Sequence, residues 1–175
     1  FGSECVDSDL DPVLKFDPDG NVVESFGSGM FIWPHGIDVD SDGNVWVTDA
    51  GSDNNIPAGD DRGHHVIKFS PTGEVLLTLG TPGEAGDGPN HFTSPSDVAV
   101  APNGDVFIAD GHNADGNNRV MKYNSRGEFL MSWGETGYAP GQFRALHANA
   151  FHPDGRVFVG DRLSRKHNGT SRRNQ

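Results

Sequence analysis

The chain holds a single cysteine, Cys5, among its 175 residues. That excludes an intramolecular disulfide, and it leaves the redox compartment unreadable from cysteine usage. No apolar run approaches the roughly 18 residues that a membrane-spanning helix needs, so no such span and no membrane partner are expected. Basic residues are also scarce: 13 Lys and Arg face 25 Asp and Glu, for a formal net charge of −12 and an isoelectric point near 4.8. Nucleic acid is therefore excluded as a partner, because phosphate binding is carried by Lys and Arg. A cation or a neutral small molecule is the more natural guest.

What is present is enough for one domain with a core: 34% of residues are hydrophobic, in a chain long enough to bury them. The first residue is Phe1, with no basic-then-apolar leader after it, so an upstream piece is expected to have been removed or not included. Localisation stays open.

The stretch DVDSDGNVWVTD (38–49) places Asp38, Asp40, Asp42, Gly43 and Asp49 on the pattern of a calcium-binding EF-hand loop. An EF-hand needs flanking helices. Here the flanks alternate, with Ile37 and Val39 before the turn and Val45 and Val47 after it, and Asp42-Gly43 between them reads as a tight hairpin. The pattern also recurs without its acids. HGIDVDSDGNVWVTD (35–49), SDVAVAPNGDVFIAD (96–110) and HANAFHPDGRVFVGD (147–161) superpose on their turn glycines, while Asp38 and Asp40 become Ala99 and Ala101, then Ala150 and His152. The EF-hand reading fails.

A second hairpin repeats in the same cadence: VLKFDPDGNVVESFG (13–27), VIKFSPTGEVLLTLG (66–80) and VMKYNSRGEFLMSWG (120–134) align Lys15, Lys68 and Lys122. Two hairpins per repeat make a four-stranded sheet, and such units every 50 to 60 residues predict the blades of a β-propeller. The 24 glycines and 11 prolines fall at turns, and helix has almost no place. The fold class is thus all-β, a partial propeller of about three blades, against the four to eight of closed rings. The propeller portion spans 1–162, with repeats at about 12–50, 64–111 and 118–162. The remaining 163–175 is an irregular basic tail, and its abrupt loss of alternation after Asp161 leads to the expectation of a truncated chain or of copies that complete a ring together.

WPHGIDVDSDGNVWVTD, NHFTSPSDVAVAPNGDVFIADG and GQFRALHANAFHPDGRVFVGDR resemble NHL repeats, and specifically the six-bladed core of peptidyl-α-hydroxyglycine α-amidating lyases and their bacterial relatives. That resemblance implies a zinc ion held by three histidines and a structural calcium held by backbone carbonyls and an Asp. Carried onto PHGI, it makes His35 a metal ligand and the Ile37 carbonyl a calcium ligand; the second ligand motif falls at Leu146 and His147. The third histidine and the calcium-binding Asp have no counterpart here. The catalytic tyrosine of the family falls at His112, and the family's upstream arginine is not matched.

Independently of the resemblance, His35 and His147 share one position of the repeat, eight residues before Gly43 and Gly155. Neutral imidazoles are good zinc ligands. With the lyase's base replaced, the main expectation is a calcium- or zinc-dependent hydrolase of a small ester or lactone. In it His35 and His147, together with Asp97, hold the ion at the catalytic centre, and His112 is the general base. The alternatives are an amidating-lyase-like enzyme and a non-catalytic scaffold. Asp49, Asp110 and Asp161 are read as structural caps, His64, His65 and His91 as loop or rim residues, and Trp33, Trp46 and Trp133 as blade packing.

Overall fold

The computed structural model describes residues 5–52, 54–152 and 154–163. Among them are twelve strands and no helix: β1 (Val13–Phe16), β2 (Val22–Phe26), β3 (Pro34–Val39), β4 (Val45–Asp49), β5 (His65–Phe69), β6 (Val75–Leu79), β7 (Pro95–Val100), β8 (Val106–Asp110), β9 (Arg119–Tyr123), β10 (Phe129–Trp133), β11 (Leu146–Phe151) and β12 (Val157–Asp161). Apart from Leu163, the basic tail lies outside the described residues.

Six hairpin turns repeat one geometry. In each, a backbone carbonyl accepts a hydrogen bond from the glycine N–H three residues on: Asp17 from Gly20, Asp40 from Gly43, Ser70 from Gly73, Ala101 from Gly104, Asn124 from Gly127 and His152 from Gly155. All six glycines have φ between +81 and +95, the left-handed region that side chains disfavour. Where the turn opens on a polar residue, its side chain also takes up backbone N–H groups. Asp40 Oδ1, for example, accepts from Asp42 and Asn44. That is why an EF-hand-like run of acids serves a hairpin turn.

The strands form two complete antiparallel sheets, in the orders β3-β4-β5-β6 and β7-β8-β9-β10, flanked by the two-stranded sheets β1-β2 and β11-β12. The sequence repeats are out of phase with the sheets by one hairpin. The unit at 12–50 joins the outer hairpin of one sheet (β1-β2) to the inner hairpin of the next (β3-β4), so about three repeats give two whole blades and two halves.

The core lies between sheets. Trp46 and Val66 of the first complete sheet pack on Val98, Ile108 and Met121 of the second, with Phe92 from the connecting loop. Val13 and Phe26 pack on Val47, Ile67 and Phe69, and Phe107 and Val120 on Leu146. Burying one such side chain contributes about 1.5–3 kcal/mol, so each sheet is held chiefly by its neighbours. The innermost strands pack on one another, β7 against both β3 and β11.

The recurring strand-end acids act as caps. Asp49 is buried and accepts from the N–H groups of Ile32, Trp33, Gly51 and Gly63. Asp161 accepts from Arg144 and Ala145. Asp110 accepts from Thr93 N–H and pairs with Arg119 at 3.0 Å. Each carboxylate ties the end of its blade's second strand to the loop entering the first.

Candidate metal and substrate site

The three equivalent inner strands present His35 on β3, Ser96 on β7 and His147 on β11. The serine between the two histidines brackets them. Its carbonyl accepts the His35 Nδ1–H at 2.6 Å, and its hydroxyl donates to Leu146 O at 2.7 Å and Ala109 O at 3.1 Å. The first bond fixes the His35 tautomer and leaves Nε2 for a ligand. The second fixes β11 one residue before His147.

The close approach of β3 to β7 requires a glycine beside His35. A Cβ on Gly36 would lie 2.5 Å from both Asp97 Cα and Asp97 Oδ1, and 2.8 Å from Ser96 O. Asp97 itself accepts the Asn149 N–H at 2.6 Å, and burial raises its pKa above the usual carboxylate range. Its carboxylate is therefore spent on holding β11, and it stands outside the histidine group. Ile37 lies in β3 opposite Val47, with its side chain exposed. The neighbouring Asp38 is engaged by Val39 and Val100 N–H groups at 2.8 and 2.7 Å.

His112 reaches the same place from the loop after β8. Gly111, at φ +140, lets the chain turn where Asn118 N would lie 2.5 Å from a Cβ, and His112 N–H then donates to Ser94 O. The result is a trio. Ring centroids are 4.7 Å apart for His35 and His112, 5.0 Å for His35 and His147, and 5.0 Å for His112 and His147. One nitrogen from each lies within 4.8 Å of the others.

All three imidazoles are pushed toward neutrality. Burial lowers the pKa of His35 against the pull of the Ser96 carbonyl. His112 is lowered to about 4 by burial and by the charge of His35. His147 is lowered by burial, His35 and Arg162. Three neutral imidazoles, one oriented by a backbone carbonyl, could together hold a zinc-type ion. Calcium prefers six to eight oxygens and is poorly suited to them.

The trio opens onto a cleft of about 1000 Å³, whose wall includes Trp33, His64, Thr93, Asn113 and Arg162. Arg162 donates to His112 O at 3.2 Å and supplies a fixed cation beside the histidines. The Trp33 ring stands edge-on to His35 and His112, at 5.1 and 4.5 Å. Trp46, by contrast, is a core residue beneath Lys68, and Trp133 packs on Phe107. The expected loop histidines divide: His91 is at the surface near Glu84, but His64 and His65 are buried. His64 Nδ1 accepts the Ser94 N–H, and His65 Nδ1 meets the Gly63 carbonyl.

Residues 31–55 and 92–123 match the NHL repeat family. The chain is built from NHL repeats. It is 39% identical over 158 residues to peptidyl-glycine alpha-amidating monooxygenase A of Xenopus laevis, covering 86% of this chain and 15% of that protein. It is 36% identical over 154 residues to peptidyl-alpha-hydroxyglycine alpha-amidating lyase 1 of Drosophila melanogaster, covering 81% and 26%. The NHL chain thus spans only a minor part of these curated relatives. Among solved structures, a protein of unknown function from Bacteroides caccae superposes at TM-score 0.54 with 16% identity, over 83% of this chain and 46% of that one. A streptogramin B lyase structure superposes at 0.51 with 12% identity, over 85% and 47%. These establish a partial NHL β-propeller.

Proposed function

We propose that the chain carries the metal- and substrate-binding part of an amidating-lyase-like enzyme acting on N-acyl-α-hydroxyglycines. The observation that carries this reading is the convergence of His35, His112 and His147 beside Arg162. In this reading the three imidazoles hold a zinc-type ion. When bound, such an ion supplies Lewis-acid polarisation of an oxygen of the substrate. The Arg162 guanidinium binds the substrate carboxylate by charge-assisted hydrogen bonds, and Trp33 forms an apolar wall for the acyl group.

The reaction is redox-neutral. The hydroxyl oxygen loses its proton and becomes the carbonyl of a two-carbon oxo acid; the bond from carbon to the amide nitrogen breaks, and that nitrogen takes up a proton. His112 has two possible duties here, third metal donor or general base, and its place in the trio favours the first. The two separate experimentally. A His112→Ala chain that no longer binds zinc identifies a ligand, whereas one that keeps zinc and loses turnover by roughly 10²–10⁴-fold identifies a base.

The lactone-hydrolase reading uses the same donors. Two observations favour the lyase over it: the relatives at 36–39% identity are amidating enzymes, and a neutral lactone offers Arg162 no carboxylate. A scaffold, the remaining alternative, has no need of three neutral histidines converging at a cleft. The direct test supplies the purified chain with N-benzoyl-α-hydroxyglycine and, separately, a γ-lactone, in the presence of zinc. Oxo-acid release from the first supports the lyase; opening of the lactone alone would return the site to hydrolysis.

A further inference from the structure

The middle blade breaks the repeat at one place, and the break lies beside the histidine trio. Trp33, Ser94 and Ala145 hold one position of the repeat, two residues before His35, Ser96 and His147. At the first and last of these, the strand-end cap accepts two consecutive N–H groups: Asp49 from Ile32 and Trp33, and Asp161 from Arg144 and Ala145. The carbonyl then receives the N–H of the residue just after the cap, from Ala50 to Trp33 and from Arg162 to Ala145.

Ser94 departs from both patterns. Asp110 takes the Thr93 N–H, and its second oxygen is engaged by Asn117 and Arg119. The Ser94 N–H goes instead to His64 Nδ1 at 3.1 Å, and the Ser94 hydroxyl donates to Gly51 O at 3.4 Å. Its carbonyl receives the N–H of His112, whereas the residue just after the cap is Gly111. The return bond has slipped by one residue, and His112 enters the trio through that slip.

Backbone strain marks the same place. Among the described residues, three that are not glycine have positive φ: His64 at +56, Ser94 at +58 and Asn118 at +52. All three are buried. Neither Trp33 nor Ala145 is left-handed, so the conformation of Ser94 does not come from the repeat. His64 and Asn118 share a repeat position, just before the second residues of their strand openings, His65 on β5 and Arg119 on β9. Asn118 closes the far end of the loop that carries His112, its side-chain amide donating to Ala114 O and Gly116 O. His64 supports the near end through Ser94. Left-handed backbone outside glycine persists only where its surroundings enforce it, and it gathers at functional sites.

We propose that His64 is a positioning residue for His112, acting through Ser94. By accepting the Ser94 N–H, His64 Nδ1 holds the Ser94 peptide away from Asp110, and the Ser94 carbonyl anchors His112 one residue beyond the cap. That acceptor role requires Nδ1 to carry no proton, so the proton of a neutral His64 ring sits on Nε2. The role rests on the reading of His35, His112 and His147 as one donor set, to which it adds the residue that brings in the third donor.

Two substitutions separate the acceptor from the backbone. His64→Asn keeps an acceptor at the δ position and suits left-handed backbone, as Asn118 does, so zinc affinity should stay close to that of the wild type. His64→Gly relieves the backbone angle but removes the acceptor, and zinc affinity should fall about tenfold or more. A second readout needs no metal. The Trp33 ring lies 4.5 Å from that of His112, so proton NMR of the metal-free chain reports the place of His112 through the ring-current shift of its Cε1–H, assigned with His112→Gln. His64→Gly should remove most of that shift and His64→Asn should keep it. A shift that survives in His64→Gly or is lost in His64→Asn overturns the proposal, as does wild-type zinc affinity in His64→Gly. A wild-type chain that binds no zinc would end the zinc reading, while the metal-free spectra still decide whether His64 positions His112. Should His64→Gly not fold, His64→Asn still decides, because an amide at that place must keep the His112 signal.

Discussion

Gly36→Ala probes the point where the fold and the site are least separable. Gly36 does not require an unusual backbone angle, so the substitution adds a methyl and little else. That methyl would sit 2.5 Å from Asp97 Cα and 2.8 Å from Ser96 O, roughly 1 Å inside ordinary van der Waals contact with backbone atoms that cannot rotate away. Strands β3 and β7 must part, and overpacking of this kind costs about 1–3 kcal/mol. In a domain of this size each kcal/mol lowers the melting temperature by about 2–4 °C. His35 is the adjacent residue, and its 2.6 Å bond to Ser96 O crosses the same seam. A displacement near 1 Å exceeds the ~0.2 Å tolerance of metal–ligand distances, so zinc affinity should fall at least tenfold, as it does when an outer-shell partner is lost. Thermal unfolding and competitive zinc titration measure the two effects. Gly160→Ala is the control, because its methyl would meet Ala148 Cβ at an ordinary 3.5 Å. A Gly36→Ala chain as stable as wild type, with unchanged zinc affinity, would refute the close-approach argument.

Three further outcomes follow from the same geometry. Ser96→Ala removes a buried hydroxyl bound to Leu146 O and Ala109 O and should cost about 1–3 kcal/mol in urea unfolding; a loss under 0.5 kcal/mol would deny it a bracing role. His112 is held neutral in the fold, with its pKa lowered to about 4, and the unfolded imidazole titrates near 6.5. The unfolded chain therefore binds the extra proton between those values, and the metal-free protein should lose stability as pH falls from about 6.5 to 4. His112→Gln should flatten that slope, and an unaltered slope would show that other groups carry it. Arg162→Ala should raise KM for N-benzoyl-α-hydroxyglycine by at least tenfold while zinc binding persists; an unchanged KM would remove the carboxylate anchor.

The repeat architecture was legible because a hairpin turn has few chemical solutions. The recurring glycines and polar turn openers stand at fixed offsets, and strand alternation fills the space between. Blade phase was less legible, since a repeat read from turn to turn cannot say which neighbouring hairpins share hydrogen bonds. At the site, His35 and His147 were recognisable from their common register on β3 and β11. His112 was singled out, but its convergence on the other two depends on a loop path that Gly111 permits and no periodicity announces. Arg162 was hidden at the border of the irregular basic tail, although it directly follows the Asp161 cap that places it. Trp33 looked like the other tryptophans in sequence; only the fold separates a cleft wall from a core residue. His64 and His65 read as rim residues by their polar neighbours, yet the chain around Gly63 folds them inward.

Zinc titration of the metal-free chain, repeated for His35→Ala, His112→Ala and His147→Ala, tests the central claim most directly. The account predicts one equivalent of zinc per chain and loss of that binding in each variant, with folding retained. Wild-type chain that takes up no zinc, or three variants that all keep a full equivalent, would contradict it.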